Sequence, residues 1–323
     1  MSRPAAPSSL PVLFLSQQEV TGLLDASGLL DALDEAFRLV AAGRVSAPPR
    51  QAARAPAGMV LAMPGFVPGY GLAAKQVAVF PENHERGLPS HLAVITLFDE
   101  ETGAPLAVMD GERITAVRTG GASAVSVRLL ARPDARVLAI LGAGVQAAAH
   151  LEAVSRVRDI AEVRVASRTV AHASALAASD PRARAVDSFE EAVRGADIVC
   201  CCTHSDRPVL SFAWLAPGAH VTSVGFNGAG SELDRETVTG GHLFIESVDA
   251  FAPPPAGCVE LQGLSREAAT ELGAALAGDA PGRQRADEIT VYKSTGHASQ
   301  DVVAARLVYE RALERGLGRQ VAL

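Results

Sequence analysis

The stretch Gly142-Ala143-Gly144-Val145-Gln146-Ala147 constrains this chain most, because it comes directly after the apolar run Arg136-Val137-Leu138-Ala139-Ile140-Leu141 and opens a helix-prone segment. In a G-x-G-x-x-A turn between strand and helix, the first glycine permits the tight turn and the second lets backbone approach a phosphate. A small third residue allows close helix–strand contact. The helix N-terminus then offers unpaired N–H groups and the positive end of its dipole to an anion. The spacing therefore marks Gly142, Gly144, Val145 and Gln146 as contacts to the pyrophosphate of a nicotinamide dinucleotide.

The chain beyond the loop fits that assignment. Strand-like runs at 137–141, 163–166, 185–186, 198–202, 220–224 and 242–245 alternate with helical runs at 147–157, 171–178 and 189–193. This rhythm predicts an α/β fold with a Rossmann doubly wound parallel sheet. A helix over 122–131 leads into it, and a strand at 289–292 and a helix over 302–313 complete the chain.

The first part of the chain has a different texture. Ser16-Gln17-Gln18-Glu19 has the spacing of a capping box after a short strand at 12–15, and a second helix begins after Ser27 and stops at Gly43. Short β-prone runs at 59–63, 72–80 and 92–98, separated by Pro and Gly, predict an antiparallel sheet. The first eleven residues, rich in Pro, Ala and Ser, read as a loose tail rather than a signal peptide.

The second Rossmann strand bears on the choice of cofactor. An NAD site usually carries an acid at the end of this strand, about 20 residues past the glycines. Here the strand ends Val165-Ala166-Ser167-Arg168-Thr169, and Glu162 lies at its beginning, the wrong end to reach the ribose. Arg168 can hold a 2′-phosphate, with hydroxyls from Ser167 and Thr169, so the arrangement favours NADP(H) over NAD(H). A solvated loop arginine is the alternative.

Composition excludes several partners. Hydrophobic residues make up 48% of the 323, the net charge is -7, and aromatics are only 4%, so neither nucleic acid nor an anionic membrane is expected. No apolar run approaches the roughly 20 residues that cross a bilayer. Cys200, Cys201, Cys202 and Cys258 have neither disulfide nor metal-ligand spacing, which points to buried thiols in a reducing cytoplasm and no metal.

Residues 141–150 resemble the ornithine cyclodeaminase/μ-crystallin family, and other pieces support this along nearly the whole chain. These are Met63-Pro64 before Lys75, Pro81-x-Asn83 before Gly87-Leu88-Pro89-Ser90-His91, and Asp110-Gly111 before Thr115 and Arg118-Thr119. Ala196-Asp197-Ile198-Val199, Glu232-Leu233-Asp234, and Tyr292-Lys293-Ser294-x-Gly296 before Asp301 complete the set. The resemblance implies a substrate-binding and dimerisation domain (1–119 with 300–323) into which the Rossmann domain (120–299) is inserted. It also implies a homodimer paired through the antiparallel sheets.

The resemblance further implies site residues. Arg50, Lys75 and Arg118 would bind the carboxylate of a small imino- or amino-acid substrate, and Lys75 and Asp234 would be the catalytic pair. Ser90, His91, Arg118, Thr119, Thr203 and Ser294 would join the glycine loop around the cofactor. From the residues alone, Lys75 on a solvated strand face and Arg50 in a solvated loop remain open. Cyclodeaminases carry a carboxylate two residues before Met-Pro, where this chain has Leu61, and the family often shows an acid where it has Gly257-Cys258. A cationic amine loses its charge pairing without that carboxylate. The expected reaction is therefore reduction of a cyclic ketimine or 2-imino acid to an L-amino acid, as in ketimine reductases or alanine dehydrogenases. Ornithine cyclodeamination and non-catalytic NADP binding are the alternatives.

Overall fold

The computed structural model describes residues 10–225 and 230–322; most of the N-terminal tail lies outside them. The chain begins with β1 (Pro11–Leu15), α1 (Gln17–Leu23) and α2 (Ala26–Ala41). The capping box at Ser16 forms as its spacing predicts: Ser16 N–H donates to Glu19, and Glu19 N–H returns a bond to the serine hydroxyl. Next come β2 (Gln51–Ala55), β3 (Gly58–Val67), β4 (Gly71–Val79), β5 (His91–Phe98), β6 (Pro105–Asp110) and α3 (Glu112–Leu130).

A βα series then runs through β7 (Val137–Leu141), α4 (Val145–Val157), β8 (Glu162–Ala166), α5 (Val170–Ala177) and β9 (Ala183–Ala185). It continues with α6 (Phe189–Val193), β10 (Ile198–Cys201), β11 (His220–Ser223), α7 (Arg235–Gly240) and β12 (His242–Ile245). The chain ends with β13 (Ala269–Glu271), α8 (Leu272–Ala277), β14 (Thr290–Lys293), α9 (Ala298–Arg315) and β15 (Arg319–Ala322).

The strands form two sheets. One has seven strands in the order β15-β1-β6-β5-β4-β3-β2, and the other has eight in the order β13-β12-β14-β11-β10-β7-β8-β9. Every pairing in the eight-stranded sheet is parallel. Its order reverses at β7, with β8 and β9 on one side and β10 and β11 on the other, as in a doubly wound Rossmann sheet. The crevice at that switch point is where such sheets bind ligands.

One expectation is met and one needs correcting. The runs expected to pair antiparallel do so as β3, β4 and β5, and β1, which was not part of that expectation, joins the sheet parallel to β6. The helix expected over 122–131 begins ten residues earlier, at Glu112. Residues from Ile114 to Leu130 are buried around almost its whole circumference, so it has no amphipathic stripe for a pattern search to find. Gly120 and Gly121 explain how it packs. A Cβ on Gly120 would lie 2.7 Å from the Ala149 carbonyl oxygen in α4, and one on Gly121 would lie 2.7 Å from Leu33 in α2.

The strands β3 to β5 alternate cleanly. Leu61, Met63, Ala73, Lys75, Val77, Ile95 and Leu97 point to the buried face, where Val302, Val303 and Val308 of α9 help form the core. Gly65 lets α9 start against β3, since a Cβ there would sit 3.1 Å from that of Ala298. Val60, Leu72, Leu92 and Val94 occupy the opposite face and are exposed.

Candidate active site

Lys75 does not face solvent. Its place on the inner face of β4 leaves it 2% exposed beneath the start of α9. Its Nζ lies 2.8 Å from Asp301 Oδ2 and 2.9 Å from Oδ1, with Thr115 Oγ1 farther off at 3.4 Å. Burial pushes the ammonium pKa down to about 7; Asp301 opposes this, and Arg118 and Arg50 add to it. Burial also works against ionisation of Asp301, but Arg118 and Lys75 outweigh it and hold the carboxyl below its usual range.

Arg118, on α3, donates Nε to Asp301 Oδ1 at 3.0 Å and Nη1 to Gln300 Oε1 at 2.6 Å. Its guanidinium lies against Gly296, where a Cβ would come within 2.9 Å of Nη1; the φ of +77° there also suits glycine. Arg50 reaches the same turn from the loop before β2, donating Nη2 to the Thr295 and Gly296 carbonyls. It is partly buried rather than a freely solvated side chain. Glu246 shapes this turn by accepting from Ser294 Oγ, Thr295 N, Gly296 N and Gln300 Nε2. Two cations, Lys75 and Arg118, thus share the carboxylate of Asp301, with Arg50 on the neighbouring turn, and the adjoining pocket is lined by Arg50, Met63, Glu246, Asp249 and His297.

The glycine loop lies at the switch point. Gly142 has φ +115°, and a Cβ there would fall 2.5 Å from the Cys202 carbonyl oxygen at the exit of β10, so only glycine fits. Gly144 is the N-cap of α4 and has no side-chain cap, while a Cβ on it would meet nothing within 4 Å. Val145 in the first turn is 61% exposed, and Ala147 is fully buried against the sheet. An uncapped helix start with open space before it fits a pyrophosphate. Ser167, Arg168 and Thr169 come after β8 on the rim of the same crevice, with Arg168 exposed. Glu162, at the far end of β8, is paired with Arg164 and Arg184.

The remaining expected residues have these partners in the structure. Asp234 is not the acid beside Lys75. It caps α7, accepting from Thr237 N at 2.8 Å and Phe212 N at 3.1 Å, so both oxygens are engaged. The hydroxyls of Thr119, Thr203 and Ser294 donate to the Thr115 carbonyl, Glu232 and Glu246 respectively. Ser90 Oγ contacts His91 Nδ1 at 3.1 Å, and the His91 ring meets that of His204 edge-on.

Asp301, Gln300, Glu246 and His297 were not anticipated as site residues. Asp301 carried a signal: it closes the Lys293-Ser294-x-Gly296 motif and falls in the first turn of a helix. Glu232 and Glu260 also form a buried network with Lys293, Ser223 and Gly225 at the strand ends.

The model of the ornithine cyclodeaminase/mu-crystallin family matches residues 12–316. The chain belongs to this family. It is 38% identical over 308 residues to the ketimine reductase mu-crystallin of Mus musculus, covering 92% of this chain and 96% of that one. Among solved structures it superposes at TM-score 0.92 on the Δ(1)-pyrroline-2-carboxylate reductase of Thermococcus litoralis in complex with NADH and L-proline. That pair shares 35% identity and covers 96% of this chain and 100% of the other. It superposes at 0.90, with 32% identity and coverage of 97% and 99%, on an archaeal alanine dehydrogenase dimer with bound NAD.

Two positions where this member departs from the ornithine cyclodeaminase pattern now have a setting. Leu61 lies across β3–β4 from Val77 and is buried with it and Val79 in a small apolar cluster. Cys258 is buried beside Lys293 and Glu260, and Glu260, two residues on, supplies the carboxylate at 2.9 Å from Lys293 Nζ.

Proposed function

We propose that the protein is an NAD(P)H-dependent reductase that converts a cyclic ketimine carboxylate or a 2-imino acid into the L-amino acid. The observation that carries this reading is the meeting of Lys75 and Arg118 on the carboxylate of Asp301, with Arg50 on the Thr295–Gly296 turn beside them. Arg50, Lys75 and Arg118 outnumber the two buried carboxylates beside them, Asp301 and Glu246, so a bound substrate carboxylate finds cationic partners. Arg50 and Arg118 hold that carboxylate, and Lys75 presents a proton toward the substrate nitrogen. Asp301 fixes the ammonium of Lys75 in place. Bound at the glycine loop, the dinucleotide supplies the hydride that reduces the C=N carbon. Leu61 and Val77 extend the same strand face as apolar wall, which suits a substrate without a second amine.

Three finer readings accompany this. Exposed Arg168, with no acid at the end of β8, favours NADPH over NADH. The apolar outer face of β3 to β5 supports a homodimer, with residues 1–119 and 300–323 carrying the substrate cations and the dimer face, and 120–299 the nucleotide. The four buried thiols suit a reducing cytoplasm, and no helix among the described residues is long and apolar enough to cross a membrane.

The test is to mix the protein with NADPH and a five- or six-membered cyclic ketimine carboxylate and monitor the nicotinamide absorbance. Stoichiometric loss with formation of the L-amino acid is expected. Release of ammonia from L-ornithine without net cofactor change would make it a cyclodeaminase instead.

A further inference from the structure

We infer that Lys75 is a carbonyl-reactive amine, condensing reversibly with small 2-oxo acids held by Arg50 and Arg118 to form a Schiff base. This rests on the proposed function, since a 2-oxo acid is the 2-imino acid with oxygen in place of nitrogen. The same cations then hold its carboxylate, and C2 remains electrophilic.

The chain contains only two lysines, Lys75 and Lys293, against 27 arginines. Lys293 is fully buried and donates to three acceptors, Ser223 Oγ at 3.0 Å, the Gly225 carbonyl at 3.1 Å and Glu260 Oε1 at 2.9 Å. These use all three of its N–H groups, and although burial opposes the charge, Glu260 keeps its ammonium protonated.

Lys75 is buried too, but differs in its partners and in its charge. Asp301 is its one close partner among the described residues, and Thr115 lies at 3.4 Å. Two guanidinium groups flank it, and a desolvated lysine beside other cations is the setting that yields a nucleophilic amine. At a pKa of about 7 a substantial share is neutral at physiological pH.

The condensation balances without a further reagent. The ammonium passes one proton to Asp301, and the Nζ lone pair attacks C2 to give a carbinolamine. Asp301 returns the proton to the carbinolamine hydroxyl, which leaves as water, and a protonated Schiff base remains. One positive charge stands beside Asp301 before and after, so the ion pair is conserved.

The experiment incubates the full-length protein with pyruvate and cyanoborohydride, then maps the tryptic peptides by mass. Alkylated Lys75 blocks cleavage between Ala55–Lys75 and Gln76–Arg86, so the adduct appears on a single peptide spanning residues 55–86. The expected result is one adduct per chain on that peptide, increasing as pH rises through about 7 and absent from Lys75→Arg. Ketimine reduction is measured on the same preparation. An enzyme that reduces ketimines but carries no adduct on Lys75, or carries it only on the Met1 amine, overturns this inference and leaves the proposed function standing. A protein with neither adduct nor reductase activity overturns both.

Discussion

Lys75 Nζ and Asp301 Oδ2 are 2.8 Å apart although 226 positions separate them in the chain, and both side chains are 2% exposed. A buried pair of this kind contributes little net stability, because desolvation offsets the Coulomb gain. Its value lies in holding one ammonium at a fixed point beside Arg118. Lys75→Ala and Asp301→Asn are each expected to lower kcat by roughly 10²–10⁴-fold toward an imino acid. The double variant should be little worse than either single one, as for groups acting as a unit. Steady-state kinetics, with NADPH affinity unchanged in all three, checks this.

Asp234 gives the contrasting prediction. As the cap of α7 it satisfies backbone N–H groups, so Asp234→Ala should cost about 0.5–2 kcal/mol of stability. Its kcat should stay within a few-fold of wild type. Denaturant unfolding paired with kinetics separates this from a catalytic role, for which kcat would collapse at constant stability.

Cofactor preference turns on Arg168. Its charge-assisted bonds to a 2′-phosphate should favour NADPH over NADH by about 1–3 kcal/mol. Arg168→Ala should remove most of that difference and leave NADH affinity unchanged. Fluorescence titration of both nucleotides measures it, and equal affinities in the wild type would refute it.

Two buried histidines predict acid sensitivity. Burial pushes the pKa of His150 down to about 4 and that of His220 to about 3. Both fold neutral, whereas the unfolded chain binds their protons below about 6.5. Stability from these groups is therefore present above about 6.5 and declines as pH falls toward 4. The slope is up to about 1.4 kcal/mol per pH unit for each histidine. Urea unfolding at several pH values should show the slope flatten in His220→Gln.

The exposed face carrying Val60, Leu92 and Val94 predicts a dimer that a charge disrupts. Light scattering should give a dimer for the wild type at micromolar concentration and a monomer for Val94→Glu. A monomeric wild type would contradict it.

The sequence alone determined what is local. A glycine loop between an apolar strand and a helix names its own turn, because the φ of +115° at Gly142 suits glycine alone. Strand–helix alternation likewise fixed the doubly wound sheet, and the Ser16 capping box fixed the start of α1. The family resemblance, rather than any local pattern, brought Arg50, Lys75 and Arg118 forward together.

Tertiary structure decided what depends on partners distant in the chain. The period-two pattern of β4 is compatible with Lys75 on either face, and only the docking of α9 on that sheet makes the position buried and supplies Asp301. Asp234 and Asp301 are equally plausible acids in a set of motifs. One was drawn to a helix N-terminus by free N–H groups, and the other was left facing two cations. The length of α3 was hidden for a related reason: a helix buried on every side has no polar face, and its two glycines are explained only by the helices packed against them.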